Sequence, residues 1–314
     1  MNRVAISRSD DTRLGIGLIV GAVLLMTLAD ALVKLASANF SLWQLYVTRG
    51  LFALPILIGI MRWRGMALWP VAPGWAYLRA LLLVLMWIVY YAALPVLSLS
   101  VAATALYTAP LLIGLLSAQV IGEPVGVRRW TAIAIGFVGV IIILRPGAAS
   151  FSWFTLLPIV GAGLYACAMI LTRSRCLDET PLALALALNA ALMLSGIVAS
   201  AALVTLSLTP EESSIYPFIV GSWTAMRPRD WGMVALLGAL IAVYSACVAK
   251  AYQVASPSIV ATFDYAYLVF AAGWGFVLFG DAPDAGTVLG MILITVAGVL
   301  VTTRSGGMPE PPAN

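Results

Sequence analysis

The sequence predicts an all-α integral membrane protein: ten transmembrane helices forming two inverted five-helix repeats around a central cavity. Three observations predict this: an apolar composition, a regular succession of apolar runs, and a self-similarity at an offset of 158 residues.

Hydrophobic residues make up 62% of the 314 residues and charged residues 10%, with a mean hydropathy of +1.04. A soluble domain of this length carries far more charge on its surface. One crossing takes roughly 20 apolar residues, so the chain holds many crossings and little else. Histidine is absent, which removes the commonest metal ligand and the usual proton shuttle. Cys167, Cys176 and Cys247 fall in or beside apolar segments and read as small packing residues, not as a disulfide frame or a metal site. The pI near 9.1 does not point to nucleic acid, because the basic residues stand singly at span ends, as topology signals do.

Apolar runs read against Gly/Pro punctuation place spans near 14–36, 42–61, 75–97, 100–121 and 129–145. A second set lies near 153–172, 182–207, 231–253, 257–280 and 285–303. Residues 1–13 form a polar tail. The run after it extends past Ala29 without a small-residue cleavage site, so it reads as the first span and not as a signal peptide. The organisation is thus a cytoplasmic tail at 1–13, one repeat at 14–147, a second, inverted repeat at 148–304, and a Gly/Pro-rich disordered tail at 305–314. With both termini inside, twelve basic residues fall on the inner face: Arg3, Arg8, Arg13, Arg62, Arg64, Arg79, Arg128, Arg129, Arg173, Arg175, Lys250 and Arg304. Five fall outside: Lys34, Arg49, Arg145, Arg227 and Arg229. That bias fits the positive-inside rule, and a count of eight or nine spans scrambles it.

The 158-residue shift lays Ser98–Thr104 on Ser256–Thr262, Tyr107 on Tyr265, and Gly122-Glu123 on Gly280-Asp281. After one inserted residue, Gly139 matches Gly298 and Arg145 matches Arg304. Five is an odd number of crossings, so the second copy enters from the opposite side. Inverted repeats of this kind let secondary transporters expose a midplane site to each side in turn.

With these residues in place, the chain resembles the EamA-type, ten-helix branch of the drug/metabolite transporter superfamily over nearly its whole length. The resemblance rests on Lys34, on Arg49 in LYVTRGLFALP, on Pro110, and on the closing Gly122-Glu123. In the second half it rests on LYACAMILTR ending at Arg173, and on Gly290 and Gly298. Asp281 stands where Glu is the pattern, Leu268 where a second Pro is, and Ala132 near an expected Gly. Among family members the chain is most similar to YddG-type amino-acid exporters. The resemblance implies a bacterial inner-membrane carrier, monomeric or homodimeric, exporting small metabolites such as neutral and aromatic amino acids, with no cofactor.

Charge inside a membrane is expensive, so each instance is a candidate for function. Asp30 and Lys34 are four apart, the spacing of an ion pair on one helix face, and read as a self-neutralising pair; substrate contact is the alternative. Arg49 opens the second span, where it ties helix ends together or pairs with Asp30. Asp264 has no opposite charge at i±3 or i±4. It either couples proton movement to transport or holds a neighbouring helix by a hydrogen bond.

Among the aromatics, Trp87, Tyr90, Tyr107, Tyr165, Tyr244 and Tyr265 lie deep in spans and are, with Asp264, candidates for lining a cavity. Tyr91, Trp153, Tyr267 and Trp274 complete the aromatic set of the spans. Trp43, Trp63, Trp69, Trp75, Trp130 and Trp231 sit near span ends and suit interface belts. Pro55, Pro110 and Pro158 are expected to bend their helices. Gly17/Gly21 and Gly286/Gly290 have the four-residue spacing that permits close helix contact.

No Gly-x-x-x-x-Gly-Lys-Ser/Thr motif is present, which argues against direct ATP use. An intramembrane transferase calls for clustered carboxylates or a His/Ser dyad, and the chain offers neither. A membrane scaffold fits poorly with loops this short.

Overall fold

A computed structural model describes residues 11–121, 127–144, 152–206 and 209–302. Outside them lie residues 1–10, the Gly122-Glu123-Pro124 break, Arg145, Arg304, the 305–314 tail, the side chains of Arg128, Arg129, Trp130, Ala132 and Thr262, and the surroundings of Gly298.

The described elements are all helical. In chain order they are α1 (Thr12–Ala36), α2 (Leu42–Trp63), α3 (Pro73–Ala93), α4 (Leu99–Leu106), α5 (Ala109–Ile121) and α6 (Val127–Leu144). A single 3₁₀ turn, Trp153–Thr155, leads into α7 (Leu156–Arg175), which is followed by α8 (Pro181–Leu206). The expected long loop at 208–230 contains two short helices, α9 (Pro210–Ile215) and α10 (Pro217–Val220). Then come α11 (Pro228–Val254), α12 (Pro257–Asp264), α13 (Ala266–Phe279) and α14 (Ala285–Thr302). By length and apolarity, eight segments among the described residues can cross a membrane, with α4–α5 and α12–α13 each counted as one. A shorter apolar helix covers Ala285–Ala297.

Local chemistry sets these boundaries. Asp11 and Ser41 cap α1 and α2 by accepting from Leu14 N and Gln44 N, which satisfies N–H groups the first turn leaves orphaned. Pro73, Pro181, Pro228 and Pro257 each open a helix, where the missing N–H costs nothing. Gly280 ends α13 in the left-handed region at φ 70°, a conformation that costs glycine no Cβ clash. Thr209 and Glu212 form a capping box on α9, and the two Thr209 hydrogen bonds hold the exposed Glu212 carboxyl below its usual range.

Two spans expected to be continuous are interrupted. The first breaks after Leu106, and Pro110 becomes the second residue of α5 and not a mid-helix kink. Its ring removes a ladder bond, and the chain closes instead with Thr108 N to Ala105 O and Leu111 N to Thr108 O, both i→i+3. The second break is slight. Tyr265 keeps helical angles (φ −59°, ψ −17°), and Leu268 N donates to Tyr265 O. Pro158 lies in the first turn of α7, so it does not bend that helix either. Pro55 alone of the three sits inside its helix.

The helices pair in a regular scheme. α1 packs on α11 and α13, while α7 packs on α3 and α5; α2 packs on α8, and α6 on α14. Exchanging α1, α2, α3, α4–α5 and α6 for α7, α8, α11, α12–α13 and α14 carries α1·α11 and α1·α13 onto α7·α3 and α7·α5 and returns α2·α8 and α6·α14 to themselves.

Gly17 and Gly21 are not at contacts: a Cβ on either meets nothing within 4 Å. The close approach on α1 is Gly15, whose Cβ would stand 2.6 Å from Ala255 Cβ. On α11, a Cβ at Gly238 would sit 2.7 Å from both Arg49 O and Phe52 Cβ of α2. Gly238→Leu is therefore expected to force α2 and α11 apart and cost about 1–3 kcal/mol, read as a lower Tm of the purified protein. An unchanged Tm would show that the two helices separate freely.

Candidate functional site

Seven candidates from the sequence converge on one buried cluster. Trp87, Tyr90, Tyr107, Tyr165, Tyr244, Asp264 and Tyr265 are each at most 9% exposed, and they connect through rings and hydroxyls. Trp87 lies against Tyr90 (centroids 6.0 Å) and Tyr244 (6.3 Å). Tyr90 Oη and Tyr267 Oη are 2.8 Å apart. Tyr267 stacks on Tyr107 at 4.4 Å, and Tyr107 neighbours Tyr265 at 6.2 Å. Tyr107 and Tyr165 donate to the two oxygens of Asp264 at 3.1 and 3.2 Å. The two helix breaks deliver Tyr107 and Asp264–Tyr265 to this place, so each interruption lies at the cluster's edge. Of the remaining deep aromatics, Trp153 is 75% exposed and stands outside it.

The charged residues behave differently from the sequence expectation. Asp30 does not pair with Lys34. It accepts from Tyr91 Oη at 3.0 Å and from Tyr267 Oη, joining α1 to α3 and α13. Lys34 reaches across its helix end to Leu97 O at 2.5 Å and to Asp281 Oδ2 at 3.9 Å, with Phe279 beneath it. The i,i+4 spacing allows a pair on α1, but tertiary partners from α13 and the turn after α3 outcompete it. Arg49 makes no ion pair with Asp30 within 4 Å. Its guanidinium lies over Tyr46 at 4.4 Å and Tyr91 at 5.7 Å, and Nη2 has no hydrogen-bond partner among the described residues. Of the two alternatives for Arg49, pairing with Asp30 gives way to cation–π contact with the Tyr46 and Tyr91 rings.

Two narrow cavities run through the cluster and share Met26, Met86, Trp87 and Tyr165 as walls. One continues toward Tyr107, the other toward Tyr244, Leu188 and Arg79. A roomier groove opens at the surface between Trp43, Ser200, Val204 and Trp223. No carboxylate, lysine or arginine is among its lining residues.

Both ends of the cluster are closed. At the end bearing Asp11, the buried Glu179 accepts from Val71 N (2.9 Å) and Ala72 N (2.5 Å). Gln253 Nε2 donates to Cys176 O and Glu179 O, and Arg79 Nε donates to Thr172 Oγ1 at 2.6 Å. At the Lys34 end, Gln44 and Thr224 exchange two bonds (2.7 and 3.0 Å), Trp43 Nε1 donates to Ile219 O, and Tyr216 Oη donates to Ala92 O. Burial pushes the Tyr216 phenol up to about 12, which keeps it a donor at physiological pH. Trp43 is therefore part of this closure, while Trp63 and Trp69 are 85% and 77% exposed, as belt residues are.

Sequence reading missed Tyr46, Tyr252, Glu179, Gln253 and the inward role of Arg79. The signal for Arg79 was present, since it is the fifth residue of the apolar run at 75–97.

An apolar helical bundle closed around a polar–aromatic core defines a multi-pass membrane protein. Residues 13–145 match the EamA-like transporter family. Over 281 residues the chain is 29% identical to a riboflavin transporter of Rhizobium johnstonii, covering 88% of this chain and 84% of that one. It is 24% identical to the pseudopaline exporter CntI of Pseudomonas aeruginosa, over 93% and 97% of the two chains. An S-adenosylmethionine uptake transporter of Rickettsia prowazekii is 23% identical over 62% of this chain and 60% of its own length. The matched family and these relatives are transporters, not enzymes. A solved crystal structure superposes with a TM-score of 0.63 at 19% identity, covering 95% of this chain and 99% of that one, a likeness of fold alone.

Proposed function

We propose that the whole chain is an EamA-type secondary carrier of small metabolites that works by alternating access in a bacterial inner membrane. In this reading it has ten spans in two inverted repeats, 14–147 and 148–304, with both termini cytoplasmic. The observation that carries the reading is the aromatic–carboxylate cluster, buried where helices of the two halves meet and closed at both ends by separate sets of hydrogen bonds. A carrier must hold its cargo site shut on one side while the other opens. The exchangeable helix-pairing scheme supports the repeat, because two equivalent halves can trade arrangements at little net cost.

For cargo, an apolar, ring-lined site with a few polar groups suits a small amphipathic metabolite. Amino acids with neutral or aromatic side chains, exported in the manner of YddG-type carriers, are the class proposed. A second reading takes a larger flat-ring metabolite, favoured by the stacked Tyr107–Tyr267 pair and by relatives named as riboflavin transporters. Purified protein in proteoliposomes discriminates the two. Uptake of labelled phenylalanine and leucine above empty liposomes supports the first, and uptake of riboflavin alone supports the second. Uptake of neither, by protein that reconstitutes folded, counts against carriage of both classes.

A further inference from the structure

Arg79 lies seven residues into α3 and is buried, at 2% exposure. Its Nε spends one of the five guanidinium donors on Thr172. No carboxylate lies within 4 Å of it among the described residues, and none of its other donors reaches a described acceptor. A guanidinium taken out of water without a counter-charge is costly. The fold keeps one here, beside the cavity walled by Trp87, Tyr165, Leu188 and Tyr244. Arg49, the other buried guanidinium of the core, lines neither cavity and is covered by the Tyr46 and Tyr91 rings. A planar donor fork next to aromatic walls matches a ligand with a carboxylate at one end and an apolar or aromatic body. The Thr172 bond holds α7 against α3, but a neutral donor would do that without a buried charge.

We propose that Arg79 is the anchor for the anionic group of the cargo, receiving a carboxylate while the cargo's body lies against Trp87, Tyr165 and Tyr244. The proposal deepens the carrier reading and rests on it for the identity of the cavity as the cargo site. No bond is made or broken; the carboxylate supplies the counter-charge that the fold withholds.

The test is equilibrium binding, by calorimetry on the full chain in detergent, of two matched pairs: L-phenylalanine with L-phenylalaninamide, and 3-phenylpropionate with 3-phenylpropionamide. Each pair differs at the carboxylate alone. The wild type is expected to bind the acid of at least one pair about ten- to a hundredfold tighter than its amide, the range of a charge-assisted hydrogen bond. Arg79→Gln is expected to abolish that preference and Arg79→Lys to keep part of it. Thr172→Val removes the helix-pinning bond and leaves the charge, so the preference is expected to persist. Equal binding of acid and amide by the wild type, no binding of any probe, or a preference undiminished in Arg79→Lys or Arg79→Gln overturns the proposal. An acid preference without liposome uptake leaves the anchor standing and removes carriage. Uptake without the preference does the reverse.

Discussion

Asp30→Ala is expected to be among the most damaging single substitutions in the core. The carboxylate is fully buried on α1 and is the common acceptor for Tyr91 of α3 and Tyr267 of α13. Removing it strips the acceptor from two phenols that have no water to turn to, at about 1–3 kcal/mol for each unsatisfied donor. Arg49, whose Nη2 lacks a partner among the described residues, lies over the ring of the same Tyr91 and loses a fixed neighbour with it. Tyr267 keeps its contact with Tyr90, so the net cost is expected to be roughly 2–4 kcal/mol. Asp30→Asn leaves one acceptor oxygen and is expected to lose about half as much. Thermal unfolding of the purified variants checks the order wild type, Asn, Ala. An alanine variant as stable as the wild type would mean that the three helices are held by packing alone.

The second large effect is on transport. Asp264 accepts from Tyr107 and Tyr165 and has no cation within 4 Å among the described residues. Those two tyrosines wall the cavities, so a proton on Asp264 is one hydroxyl away from them. Asp264→Asn keeps the shape and one of the two acceptor oxygens, turns the other into a donor, and cannot take up or release a proton. In a proton-coupled carrier it is expected to lose gradient-driven uptake by tenfold or more while still exchanging cargo across liposomes without a gradient. Initial rates with and without an imposed pH gradient decide this. Gradient-driven uptake at the wild-type rate in the asparagine variant makes Asp264 a helix-joining residue and nothing more.

Much of the architecture is written in one-dimensional patterns. Apolar run length locates the helices because a bilayer crossing fixes how many residues must be apolar, and the Ser98/Ser256 register pairs Tyr107 with Tyr265, but it gave no sign that both helices break there. Tyr90, Tyr107, Tyr165, Tyr244 and Tyr265 were legible as polar-tipped rings placed deep in spans, whereas Tyr46 and Tyr252 were not. The pairing of charges was not. Asp30 and Lys34 look like partners because spacing along one helix is the only geometry a sequence displays, whereas Tyr91, Tyr267, Leu97 and Asp281 come from other helices and turns. Arg79 was read as a topology marker for the same reason: a position near a span end does not say which way the side chain turns. The closures through Glu179, Gln253 and Gln44 depend on loop backbone, whose donors and acceptors carry no residue signature.

Alternating access is tested most directly by distances at the two ends in one sample series. Spin labels at positions 67 and 178 report the end where Glu179 caps Val71 and Ala72. Labels at positions 38 and 282 report the end where Lys34 meets Asp281. All four positions are exposed, and Cys167, Cys176 and Cys247 are replaced beforehand. Double electron–electron resonance in liposomes, with and without a transported cargo, is expected to show reciprocal change, with one pair moving apart as the other draws together. Two distances that stay fixed, or that lengthen together, contradict a carrier that opens one end at a time.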